Sequence, residues 1–206
     1  MSAFLGPIHY WLYNKITLQQ TIVDELCRLG EPYGLSLKAE TEDRYGEFLN
    51  KPLEEMIDQD NIHGWLQERV SQVEYKYAYS VTTLMKKLPD ALETLKGTLY
   101  QAGSNQAKVI SKDGPRPTAS EMFKLISDQL LDGMPCDHAN RLLSQSDTEA
   151  TWTRNLCVHT PYWEELSGDI RIYYELREAW LTGFLKEFGY SMEKPEAATY
   201  HIKQVK

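Results

Sequence analysis

The stretch WTRNLCVHTPYWEELSGDIRIYYELREAWLTGFLKEFGY, residues 152–190, decides the fold. It begins with alternation. Trp152, Arg154, Leu156 and Val158 interleave with Thr153, Asn155 and Cys157, a period of two that predicts an extended run ending at Cys157 and His159. Thr160-Pro161 then reads as the cap and first residue of a short helix. After Ser167-Gly168-Asp169 the period changes. Ile170, Tyr173, Leu176, Trp180, Phe184 and Phe188 recur at three- and four-residue steps, with Leu181 and Leu185 beside them. That is a wide apolar face at helical period, ended by Gly189. This aromatic helix is the expected centre of the core.

On the amino-terminal side of that stretch, NRLLSQSDTEA pairs with the alternating run through a turn at Ser146-Asp147 and predicts a second strand. On its carboxy-terminal side, ATYHIKQV predicts a closing strand. The earlier sequence is helical by period. Pro7 opens a helix that stops at Gly30, LSLKAE offers a short strand, and Glu42–Asn50 a short helix. PLEEMIDQDNIHGWL reads as a helical run from Pro52. Val70, Val73, Tyr77, Val81, Leu84 and Leu88 mark a helix over Gln67–Leu88, ended by Pro89. Asp90–Gln101 forms another, stopped at Gly103. Thr118 and Glu121 make a capping-box pattern for a helix reaching about Leu131.

The expected class is therefore α+β and predominantly helical: amino-terminal helices, then a small antiparallel sheet packed on a long aromatic-rich helix. The expected organisation is a helical region 1–103, a linker or loop 104–117 rich in Gly, Pro and polar residues, and an α+β region 118–206, all packed as one globular unit.

Composition narrows the function. A net charge of −8 with no Lys/Arg-rich tract argues against nucleic acid and anionic membrane surfaces as partners. No run of about 18 apolar residues suggests a membrane span. Three cysteines, an odd count, suggest no disulfide framework and a reducing, cytoplasmic setting. Thirteen tyrosines and five tryptophans are many for this length; such rings fill a large core but also line ligand pockets, and a small molecule is the expected partner. The composition leaves room for a homo-oligomer. No dinucleotide fingerprint, phosphate loop, zinc-protease motif or serine-hydrolase elbow occurs.

Two doublets could carry chemistry: Cys136-Asp137-His138 and Cys157-Val158-His159. In extended backbone, residues two apart point the same way, so Cys136, His138, Cys157 and His159 could supply two thiolates and two imidazoles to a zinc ion. A competing reading makes Cys157 a nucleophile with His159, or His138, as its base. Only a thiolate attacks, and Cys157 lies close to a helix start that would help ionise it. Ligand-facing rings on these elements would be Trp152, Tyr162, Tyr173 and Trp180. No cofactor is required by either reading except zinc in the first.

Over roughly the last third of the chain the sequence resembles the L-2-amino-thiazoline-4-carboxylic acid hydrolase family. The likeness is carried by Cys157 at a strand end, Tyr162-x-x-x-Leu166, the helix DIRIYYELREAWLTGF and the closing strand TYHIK. Val158 stands where the family has a proline, and Tyr200 and His201 occupy the last strand, where the family carries a second cysteine after Gly-Asp. The resemblance implies hydrolysis of a small carbon–nitrogen compound through Cys157, or a pocket for a small polar or heterocyclic molecule.

Overall fold

The first helix, α1 (Pro7–Gly30), starts where Pro7 needs no amide partner, and His9 Nδ1 accepts the Gly6 N–H at 3.0 Å. The computed structural model containing it describes residues 5–111 and 116–205. Within them the chain divides into two compact units: Met1–Pro89 with Asp128–Cys136 and His159–Asp169, and Asp90–Ser127 with Asp137–Val158 and Ile170–Lys206. The division thus falls elsewhere than the expected 104–117 break. Residues 104–110 are helical, and 112–115 lie outside the described residues.

The first unit is helical. It holds α1, α2 (Leu37–Tyr45), α3 (Leu53–Met56), α4 (Ile62–Lys87) and, from later in the chain, α7 (Thr160–Glu165). LSLKAE enters α2 rather than a strand, because Leu37 and Thr41, four apart, are the residues it buries. The helical run expected from Pro52 is broken. Asp58 Oδ1 accepts the Asp60 N–H at 2.9 Å to make a turn, and Asn61 then caps α4 by accepting from Gly64 N–H at 3.1 Å. Helix α4 ends before Pro89, which holds Leu88 extended. Leu12 and Ile16 of α1 pack with Leu66, Val70 and Val73 of α4, and Leu131 joins that core.

The second unit holds α5 (Ala91–Ile110), most of α6 (Ala119–Gln129), α8 (Ile170–Glu187) and a four-stranded antiparallel sheet. The capping box forms: Thr118 N–H donates to Glu121 Oε2 at 2.8 Å, and Glu121 N–H to Thr118 Oγ1 at 3.3 Å. Strand order is β1-β2-β4-β3, with β1 (Asn140–Gln145), β2 (Glu149–Arg154), β3 (Tyr190–Glu196) and β4 (Thr199–Gln204). Trp152 of β2 pairs with Tyr200 of β4, and their rings stack at 5.3 Å. β3 gives no sequence signal because it is an exposed edge strand carrying Pro195, a place where a missing amide is tolerated. β2 stops at Arg154, short of the expected end, since Asn155 N–H leaves the sheet for Ala139 O. Among the described residues no helix is long and apolar enough to cross a membrane.

Gly103 does not end its helix. It lies inside α5, where a Cβ would strike the Trp180 carbonyl of α8, and a Cβ at Gly183 of α8 would strike the Tyr100 carbonyl of α5. The two backbones touch at these glycines. Gly103→Ala or Gly183→Ala should therefore force the helices apart and destabilise by at least about 2 kcal/mol, within the range for overpacking. Chemical denaturation checks this. A loss under about 0.5 kcal/mol in either variant would mean the contact is not tight.

Candidate functional site

Helix α4 places Trp65, Arg69 and Gln72 at i, i+4 and i+7, on one face. Opposite them in the same unit lie Tyr13 of α1, Met56 of α3 and Phe48 of the segment between α2 and α3. Together they enclose a cavity of about 280 Å³, with Glu47, Lys51 and Glu55 exposed at its rim. The segment 46–51 is fixed by side chains of the wall. Gln72 Nε2 donates to the carbonyls of Tyr45 at 2.8 Å, Gly46 at 3.0 Å and Glu47 at 3.3 Å. The Tyr13 hydroxyl donates to Lys51 O at 3.2 Å, and its pKa is raised chiefly by burial. Gly46 has φ +84°, a conformation that favours glycine, and a Cβ there would stand 3.2 Å from Gln72 Nε2, a tight contact. The Tyr13 and Phe48 rings stack at 6.4 Å, and Trp65 tilts against Tyr13 at 6.0 Å.

Among the described residues, two polar atoms of the residues in this wall lack protein partners, and neither is open to a water-sized molecule. Because the Gln72 NH₂ group must face the loop carbonyls, its Oε1 faces away, and it is buried with no hydrogen bond among the described residues. Arg69 Nε is likewise buried without an acceptor. Its guanidinium lies 5.4 Å from the Trp65 ring and 3.6 Å from the carboxylate of Glu68, whose side chain is 70% exposed. A buried donor or acceptor left unmade costs roughly 1–3 kcal/mol.

His159, expected as a base or zinc ligand, sits in the helical unit at 2% exposure. It is the N-cap residue of α7 in helical backbone (φ −88°, ψ −29°), so the extended geometry expected for Cys157-Val158-His159 is not adopted. Its Nδ1 lies 3.0 Å from Glu74 Oε2 of α4, and its Nε2 3.6 Å from Asp132 Oδ1. Burial alone would lower its pKa. The Glu74 charge and the hydrogen bonds to Asp132 and Glu74 outweigh that and raise it to about 9. A ring already protonated at neutral pH between two carboxylates is a poor general base. Sequence reading missed Glu74 and Asp132. The available signal was Glu74 itself, an acid beside Val73 and Tyr77 on the apolar face of α4, where a charge needs a partner.

Cys157 belongs to the second unit and is partly exposed. Its Sγ accepts the Tyr174 hydroxyl at 2.9 Å, and the Arg154 guanidinium lies 3.7 Å over the Tyr174 ring. Burial first, then the bond to Cys157, hold the Tyr174 pKa well above its ordinary value. In a continuing strand Arg154 and Cys157, three apart, would point to opposite faces, but β2 ends at Arg154 and alternation no longer applies.

The first doublet also departs from extension. Cys136 is exposed within a 3₁₀ turn, Pro135–Asp137, and His138 is exposed with φ +47°. Among the described residues no group of three or more His, Cys, Asp or Glu side chains is placed to hold a metal ion. Trp152, Tyr173 and Trp180, expected to face a ligand, are buried in the second unit's packing: Trp180 stacks on Phe184 at 4.9 Å, and Tyr173 accepts from Arg177 at 3.3 Å. Tyr162 lies in the helical unit, half-buried, edge-on to Tyr75 at 4.8 Å and bonded to the Ser71 hydroxyl at 3.1 Å.

The His159 shift has a definite sign. A folded pKa above the unfolded value of about 6.5 adds stability that is fully present below about pH 6.5 and disappears as pH rises through about 9. The stability gap between the native protein and His159→Gln should thus be on the order of 3 kcal/mol larger at pH 6 than at pH 10. Urea titrations across that range test it, and a gap independent of pH would mean His159 is neutral in the fold.

No protein-family model, curated protein or solved structure matches this chain, so its functional reading rests on the residues described above.

Proposed function

We propose that the chain is a small-molecule-binding protein and that its helical unit takes the ligand in the cavity beside Trp65, Arg69 and Gln72. The observation that carries this reading is a ring-walled hollow lined by Tyr13, Phe48 and Trp65 together with the polar side chains of Arg69 and Gln72. Ligand sites are usually apolar clefts with a few fixed polar groups and volumes of about 300–1,000 Å³. This cavity, at about 280 Å³, lies just below that range, which suits a molecule no larger than a single ring. Gln72 and Tyr13 hold the loop wall in place, so the hollow needs little ordering on binding, and pre-organised sites lose less affinity to that cost.

A second reading keeps Cys157 as the nucleophile of a hydrolase acting on a small carbon–nitrogen compound. The Tyr174 hydroxyl favours it, since a donor aimed at sulfur stabilises the thiolate. On this reading Tyr174, with Arg154 over its ring, replaces His159 as the group that conditions the sulfur. Thiol labelling at neutral pH separates the cases: faster reaction at Cys157 than at exposed Cys136 supports an activated sulfur, and slower reaction removes it.

For the cavity, a thermal-shift screen of small metabolites should yield compounds that raise the melting temperature of the native chain. Those shifts should vanish in Met56→Trp, which fills the hollow from one wall while leaving Arg69 and Gln72 in place. Shifts unchanged in that variant would move the site elsewhere, and no shift from any compound would end the proposal.

A further inference from the structure

A row of four phenols runs through the helical unit, and none of them lines the cavity. Tyr75 and Tyr79 stand one turn apart on α4, Tyr45 closes α2, and Tyr162 lies in α7. The Tyr162 ring meets Tyr75 edge-on at 4.8 Å. Tyr75 stacks on Tyr45 at 5.3 Å with 6° between the planes, and Tyr45 meets Tyr79 edge-on at 6.2 Å. All four are half-buried, so the row borders both the packing and the solvent.

Two of the hydroxyls donate to carboxylates: Tyr75 to Glu165, and Tyr79 to Glu40 at 2.6 Å. Packing alone accounts for rings in contact. It does not ask for a carboxylate on the Tyr75 hydroxyl, which lies where water could satisfy it. One-electron oxidation is the chemistry that uses both features. A phenol that loses an electron becomes a very strong acid, so its proton leaves with the electron. A carboxylate already bonded to the hydroxyl receives that proton in place. Rings in contact then share the electron deficit, because tunnelling is fastest at the shortest separations. The bond to Glu165 pushes the Tyr75 pKa up to about 12, so this phenol keeps its proton at neutral pH until an electron is taken.

Charge decides where the deficit rests. The Arg44 guanidinium lies 4.9 Å over the Tyr79 ring, and removing an electron beneath a fixed positive charge is disfavoured. Tyr75 instead has a ring neighbour on each side and a carboxylate on its hydroxyl.

We propose that this row gives up an electron to small one-electron oxidants and holds the resulting radical on Tyr75. The oxidant gains one electron, the phenolic proton passes to the Glu165 carboxylate, and a neutral phenoxyl remains in contact with Tyr45 and Tyr162.

The full chain, irradiated with ruthenium tris-bipyridine and a sacrificial electron acceptor and then freeze-quenched, tests this by electron paramagnetic resonance. Of the thirteen tyrosines, Tyr75 should carry most of the tyrosyl signal. Tyr75→Phe keeps the ring, loses the hydroxyl, and should cut the signal several-fold. So should Glu165→Gln, which alters an exposed side chain and keeps a hydrogen-bond acceptor without a base. Tyr10→Phe is the control. Its hydroxyl also donates to a carboxylate, Glu54 at 2.6 Å, but it stands outside the row, and its loss should leave the signal unchanged. Circular dichroism checks that each variant is folded. A signal unchanged in Tyr75→Phe, or cut equally by Tyr10→Phe, overturns the proposal. So does a native-sized signal in Glu165→Gln, since the proton would then leave without that carboxylate.

Discussion

A carboxylate sealed inside a helical unit must be neutralised, and much of this unit is arranged to neutralise Glu74. At 2% exposure, Glu74 would carry a desolvation cost of several kcal/mol without a partner. The partner is His159, 85 residues further along the chain, and Asp132 lies on the other side of the same ring. That requirement gives a physical sense to the interleaved chain path. The helical unit recruits two later segments, Asp128–Cys136 and His159–Asp169, and each brings one member of the acid–imidazole–acid row. The same segments supply other polar contacts: Asp128 accepts the Trp11 indole N–H at 2.7 Å, and Glu165 accepts the Tyr75 hydroxyl. Burying an ion pair is weak evidence for net stability, but removing one member leaves the other charge unanswered, which fixes those segments to this place.

The second unit depends on a different constraint, backbone proximity. Helices α5 and α8 meet where Gly103 and Gly183 leave no side chain between them. The aromatic face of α8 can then fill the remaining volume, with Trp180, Phe184 and Phe188 in successive ring contact. Lys194 of β3 pairs with Glu178 of α8, tying the edge of the sheet to the same helix.

Much of this architecture was legible from pattern. The period of α1, α4 and α8, the Thr118–Glu121 box and the two strands around Ser146-Asp147 are local signals, and local signals survive folding. The failures share one cause: their physics is not local. Gly103 looks like a helix stop because its reason for being glycine is a carbonyl of another helix. β3 is invisible because its strand state comes from pairing with β4 and its exposed side chains need no apolar alternation. His159 looks like a base because its two carboxylate neighbours stand elsewhere in the sequence. Trp152 and Trp180 look like pocket rings because ring content is the same for a core and for a cavity wall. Arg69 and Gln72 drew no attention, since an arginine and a glutamine on an amphipathic helix ordinarily face water.

That last point separates the polar groups which build the fold from those which take no part in holding it. Glu74 Oε2, the Trp11 indole, the Tyr13 hydroxyl and Gln72 Nε2 all meet protein partners. Each holds a particular segment: α7, the start of the 128–136 stretch, and the 46–51 loop. Their satisfaction makes them scaffold, and changing them would unsettle the wall rather than probe it. Arg69 Nε and Gln72 Oε1, closed to water, satisfy nothing among the described residues. The cost of such an arrangement is small against the stability of a domain, but it recurs in every molecule with no structural return.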